Sequence, residues 1–85
     1  MTDSVEPIKS NNWGIEIVRY AIIIEKAENN YSAYVPDLPG CVTTGKTLEE
    51  IAENMKEAIQ FHLDGLQEQG LPIPQPATYC QYIEA

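Results

Sequence analysis

Gly40-Cys41-Val42-Thr43-Thr44-Gly45-Lys46-Thr47 matches the phosphate-loop pattern G-x-x-x-x-G-K-[ST] letter for letter. In that pattern backbone N–H groups cradle phosphates and the positive end of the following helix adds to the field. Three physical objections outweigh the match. A phosphate-loop domain needs a multi-stranded parallel sheet, and 85 residues leave room for about half of one. A bound Mg²⁺ would need an Asp at the end of a later apolar strand, and the later strand-like segment, Ala77–Ile83, carries none. Glu49 and Glu50 stand where phosphate charge would gather, and carboxylates repel it there. Val42-Thr43-Thr44 also reads as strand rather than as a loop free to wrap phosphate. Nucleotide binding is therefore rejected.

Other chemistry is thinner. None of the three serines (Ser4, Ser10, Ser32) sits in a G-x-S-x-G elbow, so a nucleophilic triad has no candidate. His62 is the sole histidine, on the edge of an apolar helical stripe, and reads as a packed side chain rather than an acid–base catalyst. Cys41 and Cys80 lie far apart with no CxxC or CxxH. They read as two buried free thiols, and a disulfide would require the strands carrying them to be neighbours. Metal ligation would need more Cys or His than this. Glu25 and Asp37 are the strand-proximal carboxylates, and nothing in their spacing makes them converge on a metal for phosphodiester cleavage. No catalytic, cofactor-binding or metal site is expected.

Composition narrows the partners. Five Lys plus Arg against thirteen Asp plus Glu give a net charge of −8. Nucleic-acid binding calls for a basic face that displaces counterions, and anionic lipid repels an acidic chain, so a basic protein is the natural complement. No apolar run approaches the roughly 20 residues of a membrane span. The opening Met1-Thr-Asp-Ser-Val-Glu-Pro7 lacks the basic and apolar regions of a secretion signal, so the cytosol is the expected compartment. A chain this short buries only roughly 60–65% of its unfolded surface, a shallow core that self-association would supplement.

The elements that must position these residues read as β-β-β-α-β in one domain. Residues 1–12 are polar and read as a flexible tail; residues 13–85 form the domain. Trp13–Lys26 is rich in β-branched and aromatic residues, most securely strand over Tyr20–Lys26, and Ile22-Ile23-Ile24 suits a central strand. Glu28-Asn29-Asn30 is a turn, since Asn tolerates positive φ, and Tyr31–Val35 returns as the second arm of a hairpin. Pro36-Asp37-Leu38-Pro39-Gly40 is a rigid corner before a short strand, Cys41–Thr44, which Gly45 ends. Thr47 and Glu50 make a capping box, and Leu48, Ile51, Ala52, Met55, Ala58, Ile59, Leu63 and Leu66 form one helical stripe. Gly70 fits the left-handed position after the helix, with Leu71 packing back on Leu66. Leu71–Pro76 is an extended connector, and Ala77–Ile83 is a last strand.

The run Tyr31-Ser-Ala-Tyr-Val-Pro-Asp-Leu-Pro-Gly-Cys-Val-Thr-Thr-Gly-Lys-Thr-Leu-Glu-Glu50 resembles the HicB antitoxin family. A tyrosine-bearing strand leads there to P-D-L-P-G-C, then T-x-G-x-T and a helix opening E-E. Glu57-Ala58-Ile59 and Gly70-Leu-Pro-Ile-Pro74 continue the match, which spans roughly residues 20–83. Lys46 happens to fill the family's variable position, which accounts for the phosphate-loop coincidence. The resemblance implies a partial ribonuclease H-like α+β fold: three antiparallel strands, one long helix and a fourth strand, without that fold's catalytic carboxylates. It also implies a non-catalytic type II antitoxin that covers a small basic HicA-type mRNA-cleaving toxin. Many members carry a C-terminal DNA-binding domain, whereas this chain ends at Ala85, so DNA binding is not expected of it. Ile51-Ala52 follows Glu50 where the family often has Ala and then a larger residue, a swap of similar volume.

Two surface features would serve a protein partner. Glu49, Glu50, Glu53, Glu57 and Asp64 fall on the helix face opposite the apolar stripe, one negative strip for a basic toxin. Phe61 points out among them, suited to anchor a toxin or a homodimer or larger assembly. The rival reading is a stand-alone HicB-like homo-oligomeric module with another partner or ligand.

Overall fold

A computed structural model describes residues 18–85. The expected tail, residues 1–12, and the start of the first expected strand, residues 13–17, lie outside the described residues. Strands β1 (Ile23–Lys26), β2 (Tyr31–Tyr34) and β3 (Val42–Gly45) precede one helix, α1 (Leu48–Glu68). The sheet is antiparallel throughout, in the order β1-β2-β3. The α+β class read from the sequence holds.

Register follows from the hairpin and the corner. Ile24 stands opposite Ala33 and Ala33 opposite Thr43; one step along, Ile23, Tyr34 and Val42 form a second row. Directly opposed residues share a face. Ala33 is buried beneath the helix while Tyr34 and Val42 are exposed, so the second row lies on the outer face. The β1–β2 turn closes through Ala27 N–H to the Asn30 carbonyl at 2.8 Å. No described non-glycine residue takes positive φ, so Asn29 and Asn30 do not use the left-handed freedom that the sequence suggested. Among the described residues β1 stands at the edge of the sheet rather than in its centre: the isoleucine run predicts faces, and faces do not fix strand order.

The Pro36–Gly40 corner is where chain reversal and core formation meet. Leu38 N–H donates to the Val35 carbonyl, Cys41 N–H to Leu38, and Val35 N–H to Cys41, at 3.0 to 3.1 Å. Gly40 takes φ 85°, a left-handed angle that costs other residues about 1 kcal/mol or more. The turn drives Leu38 fully into the core beside Ala33, Val35, Cys41, Ile51 and Met55.

Both helix ends form through local chemistry. Thr47 Oγ1 accepts from Glu50 N–H at 3.0 Å, the first half of the capping box. In return the Glu50 carboxylate accepts from Lys46 N–H, one residue earlier than the usual N-cap amide. At the other end Leu71 N–H donates to the Leu66 carbonyl and Gly70 N–H to Gln67, with Gly70 at φ 71°, a Schellman ending. The buried stripe is narrower than its periodicity suggests. Ile51 and Met55 are buried, and Ala58, Ile59 and Leu63 pack partly, whereas Leu48 and Ala52 are exposed because α1 packs on β3 and β2 only.

The expected fourth strand is not formed. Residues 71–85 carry no ladder, and the segment is tied down side chain to backbone instead. Tyr20 Oη donates to the Pro74 carbonyl at 2.6 Å. Asp37 accepts from Ala77 N–H, Thr78 N–H and Thr78 Oγ1. Beyond Thr78 the chain is exposed.

Candidate functional site: an acidic helix face

The phosphate-loop lookalike is not a loop. Val42–Gly45 lies in the β2–β3 ladder, so backbone groups that a phosphate would need are engaged with β2. The Glu50 N–H at the helix start is taken by Thr47 Oγ1, and Lys46 N–H by the Glu50 carboxylate. The anion position of this helix start is filled from within the chain. Gly45 has a packing reason: a Cβ there would lie 2.9 Å from the Ile51 backbone nitrogen.

The other candidate chemistry separates in space. Glu25 lies in mid-β1 opposite Ser32, whereas Asp37 sits in the corner with both oxygens bonded to the C-terminal segment. Hydrogen bonds from Ala77 N–H first, then from Thr78, hold the Asp37 carboxyl below the ordinary range. Burial, with the Asp37 charge adding to it, pushes the Tyr20 phenol up. Cys41 is buried, and burial pushes its thiol up; Cys80 is exposed, contrary to the reading of two buried thiols, because its strand finds no partner. Among the described residues no cluster of His, Cys, Asp and Glu could hold a metal. A shallow hollow of about 310 Å³ opens between Val18, Tyr20, Ile59 and Leu63, and one of about 380 Å³ at the β1–β2 turn beside Lys26 and Lys46. Neither brings together groups that could do chemistry. His62 is half-buried on the helix.

What remains is surface. Glu49, Glu50, Glu53, Glu57 and Asp64 are all exposed on α1, as the spacing predicts. Asp64 accepts from Gln60 Nε2 at 3.0 Å, one turn back. Phe61 is 82% exposed among them. At 1.5 Å per residue the strip runs roughly 22 Å along the helix. A second surface, the outer row Ile23, Tyr34 and Val42, was not legible beforehand because it arises from cross-strand register. Among the described residues no helix is long and apolar enough to cross a membrane.

Comparison with known proteins gives this surface a context. A 14.9 kDa protein from the rep–hol intergenic region of Haemophilus phage HP1 is 45% identical over 64 residues, 75% of this chain and 48% of that one. A UPF0150 protein of Helicobacter pylori is 53% identical over 45 residues, 53% of this chain and 62% of its own. A UPF0150 protein of Thermoplasma acidophilum is 43% identical over 58 residues and is matched over 84% of its length. The chain thus spans about half of the phage relative and more of the others. A chain of the solved HicA3 and HicB3 toxin-antitoxin complex superposes with a TM-score of 0.62 at 35% identity, over 71% of this chain and 70% of that one. The family model of the HicB-like antitoxin of bacterial toxin-antitoxin systems matches residues 20–85, and the chain belongs to that family.

Proposed function

We propose that this chain is the non-catalytic antitoxin of a type II pair, acting in the cytosol by binding and covering a small basic HicA-type mRNA-cleaving toxin. The observation that carries the reading is its likeness, at 35% identity, to a chain of a toxin-antitoxin complex. The exposed carboxylates of α1 support it, since they supply the charge that a basic, RNA-binding partner lacks. In this reading Glu49, Glu50, Glu53, Glu57 and Asp64 steer the toxin, and Phe61 anchors it. The test is growth rescue and pull-down with the basic product of an adjoining reading frame. Rescue with co-purification is the expected result; a toxin that kills regardless and is not retained would overturn the reading.

The second reading, a self-associating HicB-like module serving another partner, is favoured by the exposed C-terminal tyrosines and by a β1 whose one ladder neighbour among the described residues is β2. Self-association as a homodimer or larger belongs to both readings.

A further inference from the structure

Two parts of the described chain carry strand-forming sequence without the neighbours such sequence is built for. Ile22, Ile23 and Ile24 place apolar groups on both faces, the pattern of an interior strand. Yet β1 is an edge whose one ladder neighbour among the described residues is β2, and α1 packs on β2 and β3 rather than on it. The second part is Thr78–Ile83. Tyr79 and Ile83 alternate with Cys80 and Tyr82, apolar groups again on both sides. In the chain as folded, Tyr79, Tyr82 and Ile83 are 92%, 94% and 78% exposed.

Its own β1 is not where this arm goes. Pro74 meets Tyr20 just ahead of β1, but three residues later Ala77 N–H and Thr78 N–H are bonded to Asp37 in the β2–β3 corner. The connector crosses the end of the sheet instead of running along its edge. Beyond Thr78 the arm is exposed and forms no ladder with the β1 of its own chain.

We propose that two copies of this chain exchange arms, Thr78–Ile83 of each adding as a fourth strand to the β1 edge of the other. Main-chain hydrogen bonds supply the pairing, and a two-fold axis closes the dimer. A second copy fits better than a basic toxin because Ala77–Ile83 carries no charge in a chain of net −8. The arm itself thus brings no like charge to the β1 edge, where Glu25 and Lys26 offset each other, and needs no cationic partner. The inference rests on the self-association reading and is independent of the toxin.

The test uses the full chain alone. Light scattering across concentration should give twice the 9.5 kDa chain mass. Strand N–H groups alternate between the two sides, so at least one of Cys80→Pro and Gln81→Pro removes a ladder donor. That variant should raise the dimer dissociation constant at least about tenfold while its helical circular dichroism stays unchanged. In parallel, Ile24→Cys and Glu25→Cys each offer a thiol to Cys80 under mild oxidation in a mixture of light and isotope-labelled chains. Disulfide-linked peptides should pair one light with one heavy chain. A wild type that stays monomeric to millimolar concentration overturns both the exchange and self-association. Links confined to single chains, or two proline variants with the wild-type dissociation constant, overturn the exchange alone.

Discussion

Gly45→Ala tests how tightly the sheet and helix are locked. The added Cβ would lie 2.9 Å from the Ile51 nitrogen, 3.0 Å from its Cα and 3.1 Å from its Cβ, where ordinary contact begins at 3.4 Å. Relief requires about half an ångström of separation between the end of β3 and the first turns of α1. Neither side yields cheaply, because Ile51 is fully buried in the core and Gly45 is paired with Tyr31. Overpacking of this kind costs about 1–3 kcal/mol. In a domain of this size each kcal/mol moves the melting temperature by roughly 4–8 °C, so a fall of at least about 4 °C is expected. Gly65→Ala is the matched control. It sits in the last turn of α1 with nothing within 4 Å of the added Cβ, and removing a helical glycine there should gain up to about 1 kcal/mol. Urea unfolding of both variants reads the two signs in one assay. A Gly45→Ala protein as stable as the wild type would refute the steric lock.

The cap should separate from its lysine: Thr47→Ala loses about 1 kcal/mol in urea unfolding, whereas Lys46→Ala is near neutral, because Lys46 contributes its backbone N–H. The Asp37 carboxyl is held below its unfolded value, so the stability it lends is complete above the ordinary carboxylate range and is lost as pH falls through the lower folded value. The Ala77 and Thr78 amide resonances should accordingly shift in acid, and in Asp37→Asn that transition should vanish. Glu53→Lys with Glu57→Lys should slow association with a basic toxin in stopped-flow mixing and flatten its salt dependence, since the Debye length is about 8 Å at physiological ionic strength. Equal rates at all salt concentrations would move recognition to the sheet. Phe61→Ala should weaken toxin binding or self-association in calorimetric titration without unfolding the chain, given its 82% exposure.

The sequence made local features plain and non-local ones obscure. Thr47 with Glu50, Gly70 at the helix end and the Pro36–Gly40 corner each act within five residues, and each formed, the capping box with its return bond displaced to Lys46. The acidic face of α1 was equally legible, since helical spacing alone decides it. Strand order was not, because the isoleucines of β1 announce a wish for two neighbours without saying where they come from. Asp37 read as part of a turn, and its bonds to Ala77 and Thr78 span a separation of 40 residues or more that no local signal encodes. Gly45 read as a strand terminator, but what the fold requires of it is the missing Cβ beside Ile51. The Ala77–Ile83 reading failed in the single chain for the same reason as β1: strand propensity is satisfied only by a partner.

The charges of α1 are not equivalent along its length. The first turn carries Glu49 and Glu50 where the helix dipole contributes about half a positive charge, and the last turn carries no basic residue to offset about half a negative one. Glu50 is further engaged by its own cap. The field of the strip is therefore lopsided: muted at the start of the helix and reinforced toward Asp64 and Glu68. A cationic body diffusing past the protein would feel the stronger pull toward the C-terminal half of α1, where Phe61 is an exposed large apolar side chain.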